Sequence, residues 1–197
     1  MQKQVAEQTA APPAAPPPAA YGAASMTDLE EHINWKSSEA FNQTRNSSLE
    51  NILKQGPRDQ EGLLMTSDAD ETLLLNIAFA TKVKLHSVEV RAPEDGRAPR
   101  SLKLFINRTN FGFDEAEDVE PEQKIELSDD ALGTKILLKF VKFQNVDRLW
   151  VYVDGNLGDT ESSAISMLKF WGTTVQTTNM KEFKRVAGEA GEGIMGS

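Results

Sequence analysis

Apolar and polar residues alternate along the middle of the chain, which is the pattern of half-buried β-strands. Leu73, Leu75 and Ile77 fall on one face of the first such segment, because successive side chains of a strand point to opposite faces. The next apolar segment changes phase between Leu85 and Val88, which predicts a β-bulge. The alternation predicts strands at residues 73–79, 83–90, 102–107, 122–128, 135–143, 149–154 and 165–171.

The spacers between these strands favour an all-β fold. They are rich in turn residues, and none contains a helix long enough to connect parallel neighbours. The sequence therefore predicts an antiparallel β-sandwich or jelly roll. Trp150 and Trp171 lie in strand patterns, so we expect both to pack in the core. The other core residues predicted from the inward faces are Leu75, Ile77, Leu104, Ile106, Val151 and Val153.

Short peripheral helices are predicted on both sides of the strands. A capping box, in which Glu follows Ser or Thr by three residues, predicts one helix from Thr27 to about Trp35 and another after Ser47. A last helical turn is predicted to begin at Asn179 and to end at Gly188. None of these helices is long enough to act as a scaffold.

The stretch LLKFVKFQNVDRLWVYVDGNLGD, residues 137–159, leaves two interpretations open. Apolar segments flank QNVDR as in a β-hairpin, but Gln144, Asn145, Asp154 and Asn156 are also residue types that bind ligands. Asn and Gln side chains also stabilise turns by hydrogen bonding to nearby backbone groups. We favour such turn hydrogen bonds over ligand binding at Gln144 and Asn145.

The first 25 residues differ from the rest of the 197-residue chain. They are mostly Ala and Pro, so they bury too little apolar surface to offset the entropy lost on ordering them. We expect a disordered linker at residues 1–25, one domain at residues 26–192 and a flexible end at residues 193–197. The linker is also too polar and too rich in Pro for a signal peptide or a membrane span, so we expect a cytoplasmic and nuclear protein.

The formal net charge of −9 and the absence of cysteine narrow the possible functions. Nucleic acids and anionic membranes prefer basic proteins, so neither is an expected partner. A chain without cysteine forms no disulfide, no thiolate zinc site and no CxxC redox centre. An acidic surface suits solubility, or docking onto a basic face of another protein.

Residue types with catalytic or metal-binding chemistry are few. His32 and His86 have no second ligand at metal-binding spacing, and the acidic segments 68–71 and 114–122 lack the register of a calcium loop. We therefore expect solvated loops at both acidic segments, with no metal, no cofactor and no catalytic residue. Hydrolysis by paired carboxylates is an alternative that spacing alone does not exclude.

Several longer motifs occur in order along the chain. They are the strand LLLNIAFATKVKLHSV at residues 73–88, FDEAEDVEP at 113–121, KFQNV at 142–146, NLG at 156–158 and TNMKEFKRVAGEAGE at 178–192. In this order and spacing they resemble the PITH domain, whose name stands for proteasome-interacting thioredoxin. The resemblance spans roughly residues 26–192, and it implies a jelly-roll β-sandwich similar to galactose-binding-like domains.

The resemblance implies a non-enzymatic module that docks a thioredoxin-like protein onto lid or base subunits of the proteasome regulatory particle. We expect a monomer. No oxidoreductase activity is carried over, because the chain has no cysteine, and residues 188–197 lack the histidine that some relatives have near the C-terminus. The alternative is a carbohydrate- or small-ligand-binding jelly roll, which an exposed Trp or Arg in a concave loop site would favour.

The predicted partner-binding residues lie near the C-terminus, and they are Asn179, Met180, Lys181, Phe183, Lys184 and Arg185. The three basic residues form an island in an acidic domain, beside the apolar side chains of Met180 and Phe183. Apolar anchors surrounded by charge are typical of protein-binding hot spots. In the alternative interpretation, Met180 and Phe183 only fix the last helical turn to the sandwich.

Overall fold

The computed structural model describes residues 26–54, 56 and 58–175. These residues contain the strands β1 (Thr27–Asp28), β2 (Glu39–Phe41), β3 (Met65–Thr66), β4 (Leu73–Arg91), β5 (Ser101–Ile106), β6 (Gln123–Glu126), β7 (Lys135–Leu137), β8 (Val146–Val153), β9 (Ala164–Ile165) and β10 (Met167–Thr174). Two short α-helices, α1 (Leu49–Leu53) and α2 (Phe113–Asp118), lie between the strands. None of the helices in this part of the chain is long and apolar enough to cross a membrane.

Strand β4 is the centre of the sheet because four other strands pair with it. Its first half lies between β2 and β8, and its second half lies between β7 and β10. All of these pairings are antiparallel, and the main sheet has the order β1-β10-β4-β8-β5-β6. Leu75 and Ile77 of the first half belong to the same core cluster as Val88 and Val90 of the second half. The curled sheet therefore encloses a core that both halves of β4 share, as the predicted antiparallel sandwich requires.

The predicted β-bulge is confirmed. Trp171 of β10 pairs with Ser87, whereas the next residue, Gly172, pairs with Leu85, so His86 is the extra residue on β4. The prediction of separate strands at residues 73–79 and 83–90 is wrong, because β4 runs through the three exposed residues 80–82 without a break. In the sequence these three residues look like a spacer, because β4 is exposed on both of its faces at this point.

The strands at the centre of the sheet are buried on both faces. Five of the six predicted core residues have no exposed surface, and Ile106 is partly buried against the same cluster. The opposite face carries a second cluster, which includes Phe105, Trp150 and Tyr152, and Phe111 packs against it. Trp150 is therefore a core residue as predicted, since only 4% of its surface is exposed. The core prediction for Trp171 is wrong, because its side chain is only half buried and lies outside both clusters.

The predicted first helix, from Thr27 to about Trp35, is wrong. Thr27 and Asp28 instead pair with β10, and the Leu29 N–H donates to the carbonyl of Phe170. The backbone groups at the start of this segment therefore pair with the sheet and do not form an α-helix. Two 3-10 turns, Glu30–His32 and Trp35–Ser37, follow instead. The second predicted helix is confirmed as α1, although Ser48 rather than Ser47 caps it.

Two other segments also differ from the prediction. The acidic segment at 114–122, expected as a solvated loop, begins with helix α2, in which the Glu115 carboxylate accepts a hydrogen bond from the Gly112 N–H. The strand predicted at 135–143 ends at Leu137, because the Gln123 side chain accepts from the Lys139 N–H and donates to the Leu137 carbonyl. These two hydrogen bonds occupy backbone groups that a longer strand would need, and a 3-10 turn, Phe140–Phe143, follows.

Candidate functional site

The predicted partner-binding residues Asn179, Met180, Lys181, Phe183, Lys184 and Arg185 lie outside the described residues. The predicted linker at residues 1–25 and the predicted end at residues 193–197 also lie outside them. The remaining candidate residues fall into two groups: those whose polar groups serve the fold, and those that line a surface open to a ligand or partner.

In the stretch 137–159, the side chains of Gln144 and Asn156 serve the fold. The two flanking segments do not form a hairpin, because β7 and β8 pair with different parts of β4. Gln144 donates a hydrogen bond to the carbonyl of Phe140, which confirms its predicted turn role. Asn156 is only 1% exposed, and its side-chain amide bonds to the backbone of Thr160 and Ser162. At Asn145 the backbone carbonyl accepts from the side chain of Asn107, so the turn role predicted for the Asn145 side chain stays a prediction.

The acidic residues and histidines do not form a metal centre within the described residues, where no three such side chains converge. In the first acidic segment, the Asp70 carboxylate accepts hydrogen bonds from the Asn42 side chain and from the backbone and hydroxyl of Thr72. His86 packs its ring edge-on against Phe140, with 6.3 Å between the ring centroids. These contacts give Asp70 and His86 structural roles.

A cleft of about 630 Å³ lies where the β4–β5, β6–β7 and β8–β9 loops meet. Backbone hydrogen bonds hold these loops: the Gly158 N–H donates to the Gly96 carbonyl at 2.8 Å, and the Gly133 N–H donates to the Val90 carbonyl at 2.7 Å. A side chain at position 158 would place its Cβ 2.7 Å from that Gly96 oxygen, so the loops approach this closely only because residue 158 is glycine. The cleft is therefore built before any ligand enters.

The walls of the cleft combine charges of both signs with one unsatisfied hydroxyl. Arg91 lines the cleft, and its guanidinium bonds to Glu89, yet 44% of its side chain remains exposed. Ser166 is 1% exposed, and its Oγ has no hydrogen-bond partner among the described residues. The carboxylates of Glu94 and Asp129 also line the cleft and make no ion pair with the described residues. Together these groups offer donors and acceptors to a small polar ligand.

Arg97 fixes the loop beside the cleft. Its guanidinium makes two hydrogen bonds to the Glu61 carboxylate, at 2.9 and 2.8 Å, and two to the Asp95 carboxylate, at 2.9 and 2.7 Å. These hydrogen bonds lower the pKa of Glu61 and the pKa of Asp95 below their usual values. Only 19% of the Arg97 side chain is exposed, so this interaction is better shielded than most surface ion pairs.

A second open surface surrounds β7 and the 3-10 turn after it. We call it the lysine-rimmed face, and it consists of Lys135, Leu137, Lys139, Val141, Lys142 and Trp171. Leu137 and Val141 are the two most exposed large apolar residues in the described part of the chain, at 67% and 82%. The three lysines are exposed, and the Lys135 ammonium lies 3.3 Å from the centroid of the Trp171 ring. An apolar surface beside a tryptophan is typical of protein-binding sites.

Sequence patterns indicate the lysine-rimmed face only weakly. In the segment KILLK, Ile136 and Leu138 face inward, whereas Lys135, Leu137 and Lys139 face outward. Leu137 is thus an apolar residue between two lysines on the outward face of the strand, and this pattern is what indicates an exposed apolar surface in the sequence. The cleft gives no such signal, because its walls come from residues 59–166 and depend on how the loops meet.

Comparisons with known proteins identify the domain type. The family model described as PITH domain matches residues 19–188, and PITH domains form a non-catalytic family. Thioredoxin-like protein 1 of Schizosaccharomyces pombe is 33% identical over 154 residues, which cover 75% of this chain and 52% of the relative. PITH domain-containing protein 1 of Mus musculus is 33% identical over 141 residues, which cover 71% of this chain and 64% of the relative. The chain therefore spans about half to two thirds of the length of these relatives.

Solved structures with a similar fold share little sequence with this chain. The CBM32-1 and CBM32-2 domains of Clostridium perfringens ZmpB, in complex with GalNAc, match with a TM-score of 0.55 and 11% identity, covering 76% of this chain and 37% of that one. The family 32 CBM of C. perfringens NanJ, in complex with galactose, matches with a TM-score of 0.53 and 7% identity, covering 74% and 98%. These similarities confirm the predicted all-β jelly-roll sandwich of the galactose-binding-like type.

Proposed function

The chain belongs to the PITH domain family, and on this premise we propose that it docks a thioredoxin-like protein onto the regulatory particle of the proteasome. The protein would act as an adaptor, and its lid or base contacts would bring the attached protein to the particle. We further propose that it acts as a monomer in the cytoplasm and nucleus, without nucleic acid or membrane as partner.

The observation that supports this proposal most directly is the lysine-rimmed face. Most apolar side chains of the described residues are enclosed in the two core clusters, yet Leu137 and Val141 are exposed to solvent, and Lys135 of the same segment lies against the Trp171 ring. Exposed apolar surface has a solvation cost of roughly 25 cal/mol per Å², and a partner that covers it removes that cost. A domain that carries such a face, in a family without catalytic activity, suits an adaptor role.

The proposal is tested by capture of purified proteasomes on the immobilised full chain at low salt. We expect regulatory-particle subunits to be retained, because the particle is the proposed partner. An unrelated β-sandwich of similar net charge serves as the control for ionic retention. If the chain retains no more regulatory particle than this control, the adaptor function is wrong.

The predicted C-terminal residues remain part of this proposal. Lys184→Glu together with Arg185→Glu should weaken proteasome retention and leave the melting curve unchanged, if the segment contacts the partner. Phe183→Ala should lower the melting temperature, if the segment only packs on the sandwich. Unchanged retention by the charge-reversed variant would place the contact elsewhere on the domain.

A second candidate function is the binding of a small polyhydroxyl ligand in the cleft. The observation that favours it is the exposed Arg91 guanidinium in a concave loop site, beside the unpartnered Ser166 hydroxyl. Hydroxyl groups both donate and accept, so they match walls that present carboxylates and a guanidinium together. No aromatic residue lies among the described residues that line the cleft, so a stacking platform does not contribute there.

Titration with galactose, followed by NMR, tests this second candidate. We expect saturable shifts at the amides of Arg91 and Ser166, and weaker binding by Arg91→Gln. Lys36→Gln, an exposed residue away from the cleft, provides the control. Shifts that do not saturate, or that are the same in Arg91→Gln, would rule out the cleft as a sugar site.

A further inference from the structure

We infer that the lysine-rimmed face binds an acidic segment of a partner protein that also carries a large apolar side chain. The inference rests on the proposed adaptor function and adds the chemistry of the partner. It follows from three independent features of the face: its unpaired charge, its exposed apolar side chains and its blocked strand edge.

The charge of the face is opposite to that of the rest of the chain. The formal net charge is −9, yet Lys135, Lys139 and Lys142 make no ion pair with the described residues. Elsewhere in the sheet Lys103 pairs with Asp154 and Lys169 pairs with Asp28, whereas Lys82 and Lys84 of β4 make no ion pair with the described residues. A cluster of unpaired cations in an acidic domain is complementary to carboxylates supplied from outside.

The apolar side chains require a second element in the partner. Leu137 and Val141 are exposed on the same segment as the lysines, and Trp171 lies beside Lys135. The Trp171 indole N–H is buried and has no acceptor among the described residues. A partner carboxylate that binds the Lys135 ammonium would lie close to the face of the Trp171 ring, against which that ammonium rests. An apolar partner side chain would then cover Leu137 and Val141.

The edge of β7 shows how the partner docks. Exposed strand edges often bind a partner by adding a strand, since their backbone groups are free to pair. Here the Gln123 side chain already bonds to the Leu137 carbonyl and the Lys139 N–H, so this part of the edge is occupied. Strand addition is therefore blocked at this part of the edge, and we expect the partner to bind there through its side chains.

The same lysines would attract any polyanion, so the apolar residues decide between partners. RNA or an anionic vesicle would contact the lysines alone, and the remaining acidic surface would repel it. A protein segment gains from both the lysines and the apolar residues. Substitution of Leu137 and Val141 therefore separates a protein partner from a purely ionic one.

The experiment measures binding of a fluorescein-labelled peptide of Glu, Asp and Leu residues to the full chain by fluorescence anisotropy. Lys139→Glu with Lys142→Glu should weaken binding about tenfold or more, as expected when two charge contacts are reversed. Leu137→Ser with Val141→Ser should weaken it at least about threefold, because apolar contact area is lost. Lys36→Glu, which reverses an exposed charge elsewhere, should leave binding unchanged, and melting curves verify that all variants fold.

Proteasome capture is measured on the same variants, so that a failure of the adaptor function can be distinguished from a failure of the lysine-rimmed face. If the wild-type chain retains proteasomes but neither double variant loses retention or peptide binding, the face is wrong and the adaptor function stands. If the peptide binds as expected but proteasomes are not retained, the adaptor function is wrong and the face stands. Equal binding of polyglutamate, an RNA oligomer or anionic vesicles, insensitive to the Leu137 and Val141 changes, would overturn the protein-segment assignment.

Discussion

The side chain of Arg97 fixes the position of the β4–β5 loop by hydrogen bonds to two carboxylates. It connects the β4–β5 loop to Glu61, which is 36 residues earlier in the chain, and it also bonds to Asp95 in its own loop. The two carboxylates raise the pKa of the Arg97 guanidinium by accepting hydrogen bonds from it, so the guanidinium stays charged at every pH at which the domain folds. The 3-10 turn Glu61–Leu63 is thereby fixed near the cleft.

This interaction predicts a specific loss of stability in acid. The folded-state pKa values of Glu61 and Asp95 lie below their usual values of 4.5 and 3.8, so the stabilisation is present above those values and is lost as the pH falls. Arg97→Gln should lower the free energy of unfolding by about 1 kcal/mol near neutral pH, because both carboxylates are largely exposed. From about pH 5 to about pH 3, it should lose less stability than the wild type. Denaturant unfolding across this range checks the prediction, and an identical pH dependence in both proteins would contradict it.

The bulge between β4 and β10 depends on a glycine. At Gly172 an added Cβ would lie 2.0 Å from the Lys84 carbonyl oxygen and 3.1 Å from the Leu29 side chain. The backbone of β4 cannot retreat from such a contact, since it is paired on its other edge with β7 and β8. The bulge therefore needs a residue without a side chain at this position.

Gly172→Ala should destabilise the domain by about 3 kcal/mol or more, because backbone atoms would have to shift. Gly62→Ala is the matched control, since a Cβ added at that position would have no neighbouring atom within 4 Å, and its effect should stay within about 0.5 kcal/mol. Thermal unfolding of both variants gives the comparison. Equal stability of the two would mean that β10 can move away from β4.

The elements that could be predicted from sequence are those whose local pattern and tertiary contacts agree. The period of two at Leu73, Leu75 and Ile77 and the phase change before Val88 indicated the core face and the bulge, because these four side chains all belong to the larger core cluster. The segment after Thr27 has a good capping box, yet distant pairing with β10 takes its backbone donors. The end of β7 depends on Gln123, a contact across 14 residues that no local pattern encodes.

The cleft and the lysine-rimmed face also depend on contacts between residues far apart in the chain, so neither site could be predicted from local sequence patterns. The cleft exists because the backbones of Gly96 and Gly158, which are 62 residues apart in the chain, are in contact. No local sequence pattern predicts a contact between such distant residues. The lysine-rimmed face needs Trp171 of β10 next to Lys135 of β7, although these strands do not pair with each other. The charged and apolar residues could be named from the sequence, but their meeting on one surface could not.

The curled sheet separates the apolar residues of the described part of the chain into enclosed and exposed ones, and substitutions test this division directly. Val151 and Leu104 have no exposed surface and pair with each other across β8 and β5, whereas Leu137 is 67% exposed.

Val151→Asp or Leu104→Asp should prevent folding, because an unpaired buried carboxylate costs a large part of a total stability of about 5–15 kcal/mol. Leu137→Asp introduces the same charge into solvent, so its free energy of unfolding should change by less than about 1 kcal/mol. Circular dichroism and urea unfolding distinguish the outcomes. A cooperatively folded Val151→Asp variant would show that this side chain is not enclosed, and an unfolded Leu137→Asp variant would show that Leu137 is not open to solvent.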